Sequence, residues 1–365
     1  MYYGNISSLD SVTVIDGICG YTERVTVTRF VYISVAGVIA VFGFFSNLLL
    51  ILLFRMSPTR PPSLFPGFLA LLDALICFCF VLIFVVDVNM IYLELPGLFA
   101  FYHEYIVFAF STAKIVQFLI PYMLIMGTFE RYRWIVTKER SGASSSARPL
   151  SVVVLVLAAV LIRAPAAAVL TVSRFPLCTD YFRTLAVDIL PWAKNSKMYV
   201  AFDLYGIAFL QTFLPFVTLI TLNVVIIRKL YKMNSRTRKA DFAQLPGLRS
   251  SILSSLRRYK MTPQIRNAVH SMVAIVSTYL VSNSLHLMLT LLEFGKASIL
   301  FEENDSFQAS TLYTTLGDLV SVLYMTSSAI RILIYAKCNP TLWKQLSSTA
   351  LIERFSGSYS KEVML

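Results

Sequence analysis

Seven long apolar blocks, at 31–54, 64–93, 105–129, 150–172, 199–227, 268–292 and 309–335, constrain this chain more than any other feature. A helix rises about 1.5 Å per residue and the hydrocarbon core of a bilayer is about 30 Å thick, so about 20 apolar residues cross it. Every block is long enough. Backbone amides in lipid must be satisfied within their own segment, so the blocks are read as helices, and the alternating pattern of a membrane barrel is missing. Lys114 interrupts the third block, and Asp318 and Arg331 interrupt the seventh; a charge in such a place needs a cavity or a partner. Of the 365 residues 57% are hydrophobic and only 14% charged, against roughly a quarter charged in soluble proteins. The expected fold class is therefore an all-α membrane protein, a seven-transmembrane-helix bundle, with a short amphipathic helix after the seventh span.

Orientation follows from the basic residues. With the N-terminus outside, most of the 32 Lys and Arg fall in inner segments: Arg55 and Arg60, the run from Arg131 to Arg148, the cluster from Arg228 to Arg266, and the tail from Lys337 to Lys361. The formal charge of +12 is then a topology signal with attraction to anionic inner-leaflet lipid, and no nucleic-acid partner is expected. Residues 1–30 form an extracellular segment without a basic start and apolar core, so the first span is expected to act as insertion signal. Residues 31–335 form the transmembrane domain, with a third cytoplasmic loop at about 228–266, and 336–365 form the cytoplasmic helix and tail. The sequons at Asn5 and Asn304 both suit this multi-pass, plasma-membrane topology as glycosylation sites.

The third block ends in GTFERYRWIV, which sets Glu130, Arg131 and Tyr132 at a membrane boundary. Other landmarks keep their order: Gly43 to Asn47 in the first block, Asp73 in the second, Pro165 in the fourth, Pro215 in the fifth, and Arg331 to Tyr335 in the seventh. As an ordered set these residues, over about 30–346, resemble the rhodopsin-like (class A) G-protein-coupled receptors. The chain departs from that pattern in several places. Thr278 to Asn283 replace the aromatic signature of the sixth helix, Asn223 replaces a Tyr in the fifth, and no Cys stands near Ile106 at the top of the third. With these changes it is similar to a divergent invertebrate, nematode-like neuropeptide-receptor branch.

The resemblance implies a receptor that binds an extracellular ligand, a neuropeptide first, and activates a heterotrimeric G protein. Glu130, Arg131, Tyr132 and Tyr335 would form the coupling switch, and arrestin and receptor kinases would act on the tail. In the family the counterpart of Asp73 helps hold a sodium ion beside a polar residue of the seventh helix. Here Arg331 takes that place, so the intramembrane polar core of Asn47, Asp73 and Arg331 is expected to pair guanidinium with carboxylate; the alternative is that Arg331 snorkels to the inner interface. In the outer half, Asp87, Lys114, Gln117, Asp203, His286, Glu293 and Asp318 either converge on a ligand cavity or face interfacial water. Their excess of acid suits a cationic peptide. The seventh helix offers no lysine for retinal before Lys337, and Ala113 stands where amine receptors place an Asp, so opsin and aminergic readings are disfavoured.

Cys77 and Cys79 lie within a span and Cys338 inside, which leaves Cys19 and Cys178 on the oxidising face, either bonded or as two free thiols. Leu248, Ile252, Leu253 and Leu256 beside Arg249, Arg257 and Arg258 read as a basic amphipathic segment or a solvated loop. Asn339 and Pro340 start the final helix, with Leu342, Trp343 and Leu346 on its apolar face. No metal set, phosphate loop or nucleophile motif is present, so neither an enzyme nor a cofactor is expected. The alternatives are a chemosensory receptor for small molecules, and an ion-coupled transporter or channel, which the intramembrane charges also suit.

Overall fold

The computed structural model describes residues 19–20, 25–56, 64–137, 147–242, 263–295, 301–302, 305–309 and 311–338. Asn5, Asn304, the segment around Leu248–Leu256 and the helix expected from Asn339 lie outside them.

Seven helices are long and apolar enough to cross a membrane: α1 (Val27–Arg55), α2 (Leu64–Tyr92), α3 (Pro96–Arg133), α4 (Pro149–Val169), α5 (Lys197–Met233), α6 (Arg266–Phe294) and α7 (Leu312–Cys338). The chain is a multi-pass membrane protein built as a helical bundle. Its centre is formed by α2, α3 and α7, whose apolar windows are the most buried, while α4 is the most peripheral. Outward faces carry large apolar side chains left open, such as Phe108 (77% exposed), Leu161 (73%) and Val281 (74%). In water such faces would be a liability; against acyl chains they are the required surface.

Close packing at the centre depends on one glycine. A Cβ at Gly43 would sit 2.6 Å from Ala329 Cβ and 2.8 Å from the Cys77 sulfur, so α1 meets α2 and α7 nearly backbone to backbone. Helices without a hydrophobic force between them in lipid gain dispersion contacts by such approach.

The helices are not regular along their whole length. A π-helical turn at Val81–Val85 interrupts α2, and two more, Phe202–Ile207 and Phe209–Phe213, interrupt α5. In α7 the helix Thr311–Ala329 gives way at Ile330 to Arg331–Cys338. Each irregularity, and each interior proline, frees a carbonyl that lipid cannot satisfy. Tyrosine hydroxyls from neighbouring helices fill the gaps at Pro121, at Pro215 and in the π-turn of α2. Pro121 has no N–H for the Gln117 carbonyl, which accepts from Tyr324 of α7 at 3.3 Å. Pro215 likewise leaves the Leu210 carbonyl of the π-turn open, and Tyr122 of α3 donates to it at 2.8 Å. The π-turn of α2 has its Leu82 and Ile83 carbonyls bonded by Tyr105 (3.0 Å) and Tyr102 (3.2 Å).

Helix ends follow ordinary rules with one exception in residue type. The α2 terminus closes with Leu95 N–H on the Met90 carbonyl (3.0 Å) and Glu94 N–H on Ile91 (3.4 Å), the Schellman pattern, but Glu94 rather than glycine takes the left-handed conformation at φ 50°. Ser196 caps the start of α5 by accepting from Tyr199 N–H at 3.3 Å. Both segments flanking the expected third loop are helical further than the apolar pattern suggested, through Phe242 on one side and from Pro263 on the other.

Strands appear in two loops where none was expected. Between α4 and α5, β1 (Leu170–Arg174) and β2 (Leu185–Ile189) pair antiparallel with Leu170 opposite Ile189. After α6, β3 (Phe301–Glu302) pairs with β4 (Asp305–Ala309). Thus the fourth block ends as helix at Val169, and its last apolar residues run on into a hairpin that satisfies its own backbone.

Candidate functional site

Cys19 and Cys178 are bonded, with Cα atoms 4.9 Å apart, and this bond marks one end of the bundle. It joins Cys19 to the loop between β1 and β2. Gly20 N–H bonds the Arg183 carbonyl at 2.9 Å and Arg183 Nε returns a bond to the Gly20 carbonyl at 2.8 Å. Only glycine fits there, because a Cβ would lie 2.7 Å from Ala186 Cβ.

Between α3, α5, α6 and α7 lies a cavity of about 140 Å³. Of the residues expected from the sequence, the structure brings Lys114, Gln117 and His286 to its wall. The sequence reading missed Gln211, Thr212, Asn283 and Ser321, which add amide and hydroxyl groups, and Tyr279 with Tyr324, whose rings meet edge-to-face 6.2 Å apart at its border. Neutral polar residues inside an apolar block give no charge to notice, which is why they escaped.

The expected carboxylates Asp87, Asp203, Glu293 and Asp318 are not among the described residues that line this cavity. Asp318 is held by Arg29 of α1, Nε to Oδ2 at 2.8 Å and Nη2 to Oδ1 at 3.2 Å. Glu293 accepts from the Tyr313 hydroxyl at 2.7 Å. Asp203 is exposed in the first π-turn of α5, and Asp87 lies near Tyr102 and Tyr105. Lys114, half-buried, stands 4.9 Å over the Phe110 ring and has no ion-pair partner among the described residues. Among the described residues, Lys114 is then the one charged side chain in the cavity wall.

Deeper in the bundle, Arg331 (2% exposed) and Asp73 (0%) form a buried ion pair. A single nitrogen, Nη1, reaches both carboxylate oxygens at 2.5 Å, and Nη2 has no hydrogen-bond partner. Asn47, fully buried, donates to the Gly43 carbonyl at 2.9 Å and to the Ser328 carbonyl at 3.2 Å, tying α1 to α7 beside the pair. Since both Asp73 oxygens face the guanidinium, the residues do not fit the sodium ion that the resembled family holds at this place. A second cation there would meet Arg331.

At the far end of α3, Arg131 is buried (8% exposed). Tyr335 is buried within electrostatic range of both Arg131 and Arg331, its ring 5.2 Å from Phe54 and its hydroxyl without a partner. Tyr132 packs with Ile135, Ile226 and Val269, which joins α3 to α5 and α6. Asn223 donates to Ser277 Oγ at 3.0 Å and links α5 to α6. The structure gives Glu130 a half-buried place beside Arg131 in sequence.

No protein-family model matches the chain, and no curated protein matches it.

Proposed function

We propose that this multi-pass protein is a G-protein-coupled receptor, which binds an extracellular ligand in the cavity beside Lys114 and passes the signal to a heterotrimeric G protein at the Arg131 end. One observation carries the reading: a polar cavity and a buried arginine lie on the same helix, α3, separated by about 26 Å of helix at about 1.5 Å per residue. That separation is nearly the bilayer thickness, so an event at one membrane face has a rigid element leading to the other.

The physics is a two-state equilibrium. A ligand shifts it only by its difference in affinity for the two states, and moving it from 1:99 to 99:1 takes about 5.5 kcal/mol. Breaks in α5 and α7 supply elements with more than one packing. Arg131, buried in the resting bundle, becomes available to a G protein when α6 moves away from α3 and α5, where Tyr132 and the Asn223–Ser277 bond now hold it.

The orientation follows from the basic residues: the disulfide end faces outside, where oxidation occurs, and the Arg131 end faces the cytoplasm, where arrestin and receptor kinases meet the tail. A peptide whose terminal residue enters the cavity is the first ligand class, with the hairpin and tethered N-terminal segment contacting the rest. A small molecule, as for a chemosensory receptor, is the second, favoured by the modest volume. The test is second-messenger response in cells to a ligand library, with Arg131→Ala beside wild type at matched surface level. Coupling should vanish in the variant while binding persists; normal coupling in Arg131→Ala would refute the switch.

A further inference from the structure

We infer that the ligand of the Lys114 cavity carries a carboxylate, and that Lys114 is the group that recognises it. This rests on the cavity being the receptor's ligand site and names the chemistry that enters it.

Among the described residues, Lys114 is the sole charged residue of the wall. Two carboxylates act on it from a distance, Asp203 and Glu293, but neither forms an ion pair with it among the described residues. Asp203 is exposed near the start of α5 and acts on Arg163 as well, and Glu293 accepts from the Tyr313 hydroxyl. A second cation adds to the potential. Arg163 of α4 is 5% exposed, its Nε makes no hydrogen bond, and its charge is felt at Lys114. Arg163 does not line the cavity, so its effect is through the field rather than contact.

Lys114 therefore meets the cavity in a low-dielectric bundle with no counter-ion in contact with it among the described residues, where an unpaired charge is costly. An anion restores the balance. A planar carboxylate suits the wall, since Gln117, Gln211, Asn283 and His286 supply amide and imidazole groups, while Tyr279 and Tyr324 offer ring surface to an apolar body. A volume of about 140 Å³ holds a group of about the size of benzene, which fits a cavity of about 150 Å³. Either a small organic acid or the free C-terminal residue of a peptide meets these terms; an amidated terminus or a primary amine does not.

The experiment uses the full chain in micelles and reads its melting temperature. The first arm takes benzoate and hexanoate against benzamide, hexanamide and hexylamine. A second arm takes short peptides ending in Phe or Leu, with free or amidated C-termini. Wild type should melt higher with acids of one arm and be unmoved by amides or amine, and the responding arm identifies the source. Lys114→Gln should lose that shift, yet melt higher than wild type without ligand, because an unpaired cation has been removed; a merely structural lysine would melt lower when replaced. Lys114→Arg should keep the acid response. Equal shifts from acids and amides, a shift retained in Lys114→Gln, or no shift from any acid in either arm would overturn the inference. Since no G protein takes part, acid binding without coupling would count against the receptor reading alone, and coupling driven by an amine against this inference alone.

Discussion

Asp73 and Arg331 hold their charges in the middle of the bundle only because each neutralises the other. Removing one partner of a buried pair costs about 3–5 kcal/mol, whereas replacing both by neutral groups is often tolerated. Asp73→Asn and Arg331→Met should each lower the melting temperature and surface level sharply, while the double variant loses clearly less than the sum; strict additivity would deny the coupling. A pair of opposite charges interrupting apolar runs is visible in a sequence, because each charge demands an explanation. The Arg29–Asp318 pair was not visible. Arg29 falls at the edge of the first apolar block and reads as a loop residue, so nothing in the sequence pointed from Asp318 to α1. At the same scale, Arg29→Gln should weaken the packing of α1 on α7 by about 1 kcal/mol or less, since the pair is part-exposed, measured as a small fall in melting temperature.

At Pro121, at Pro215 and at the π-turn of α2 a helix departs from ideal geometry and frees a carbonyl, and a tyrosine on the next helix answers it. Interhelical hydrogen bonds in membranes average about 0.6 kcal/mol and reach about 1.7. Tyr122→Phe should therefore destabilise by about 1 kcal/mol. In a Pro215→Ala background the cost should shrink, because the new N–H can serve the freed carbonyl of α5; an unchanged cost would mean that Tyr122 acts otherwise. Gly43→Ala should cost about 1–3 kcal/mol by forcing α1 away from Ala329 of α7, with Ala329→Gly as partial rescue. None of these π-turns was legible. Apolar residues surround each span on every face, so hydrophobic periodicity carries no phase to reveal an extra residue per turn. The β1–β2 hairpin was hidden for a related reason, since Leu170 and Val172 continue the apolar run of α4 without a break.

Across the whole molecule, seven helices and their order were legible because length and hydropathy suffice for a bilayer. The cavity wall was legible only at Lys114, Gln117 and His286, because a linear count places residues at a depth but does not say which helix face meets which. The disulfide ties chain positions 159 residues apart and holds Cys19 and Gly20 against the β1–β2 hairpin. Cys19→Ser should accordingly raise the ligand dissociation rate more than it lowers the melting temperature of the bundle. In the receptor proposed here, a ligand in the cavity drives nucleotide exchange through Arg131. Its most direct measurement is GTP-analogue uptake by heterotrimeric G protein in membranes holding the full chain, with the acid and peptide probes above, for wild type and Arg131→Ala at equal surface level. Ligand-dependent uptake in wild type and none in Arg131→Ala, with binding retained in both, is the predicted result. Ion flux or substrate movement without uptake, or uptake indifferent to Arg131, would contradict it.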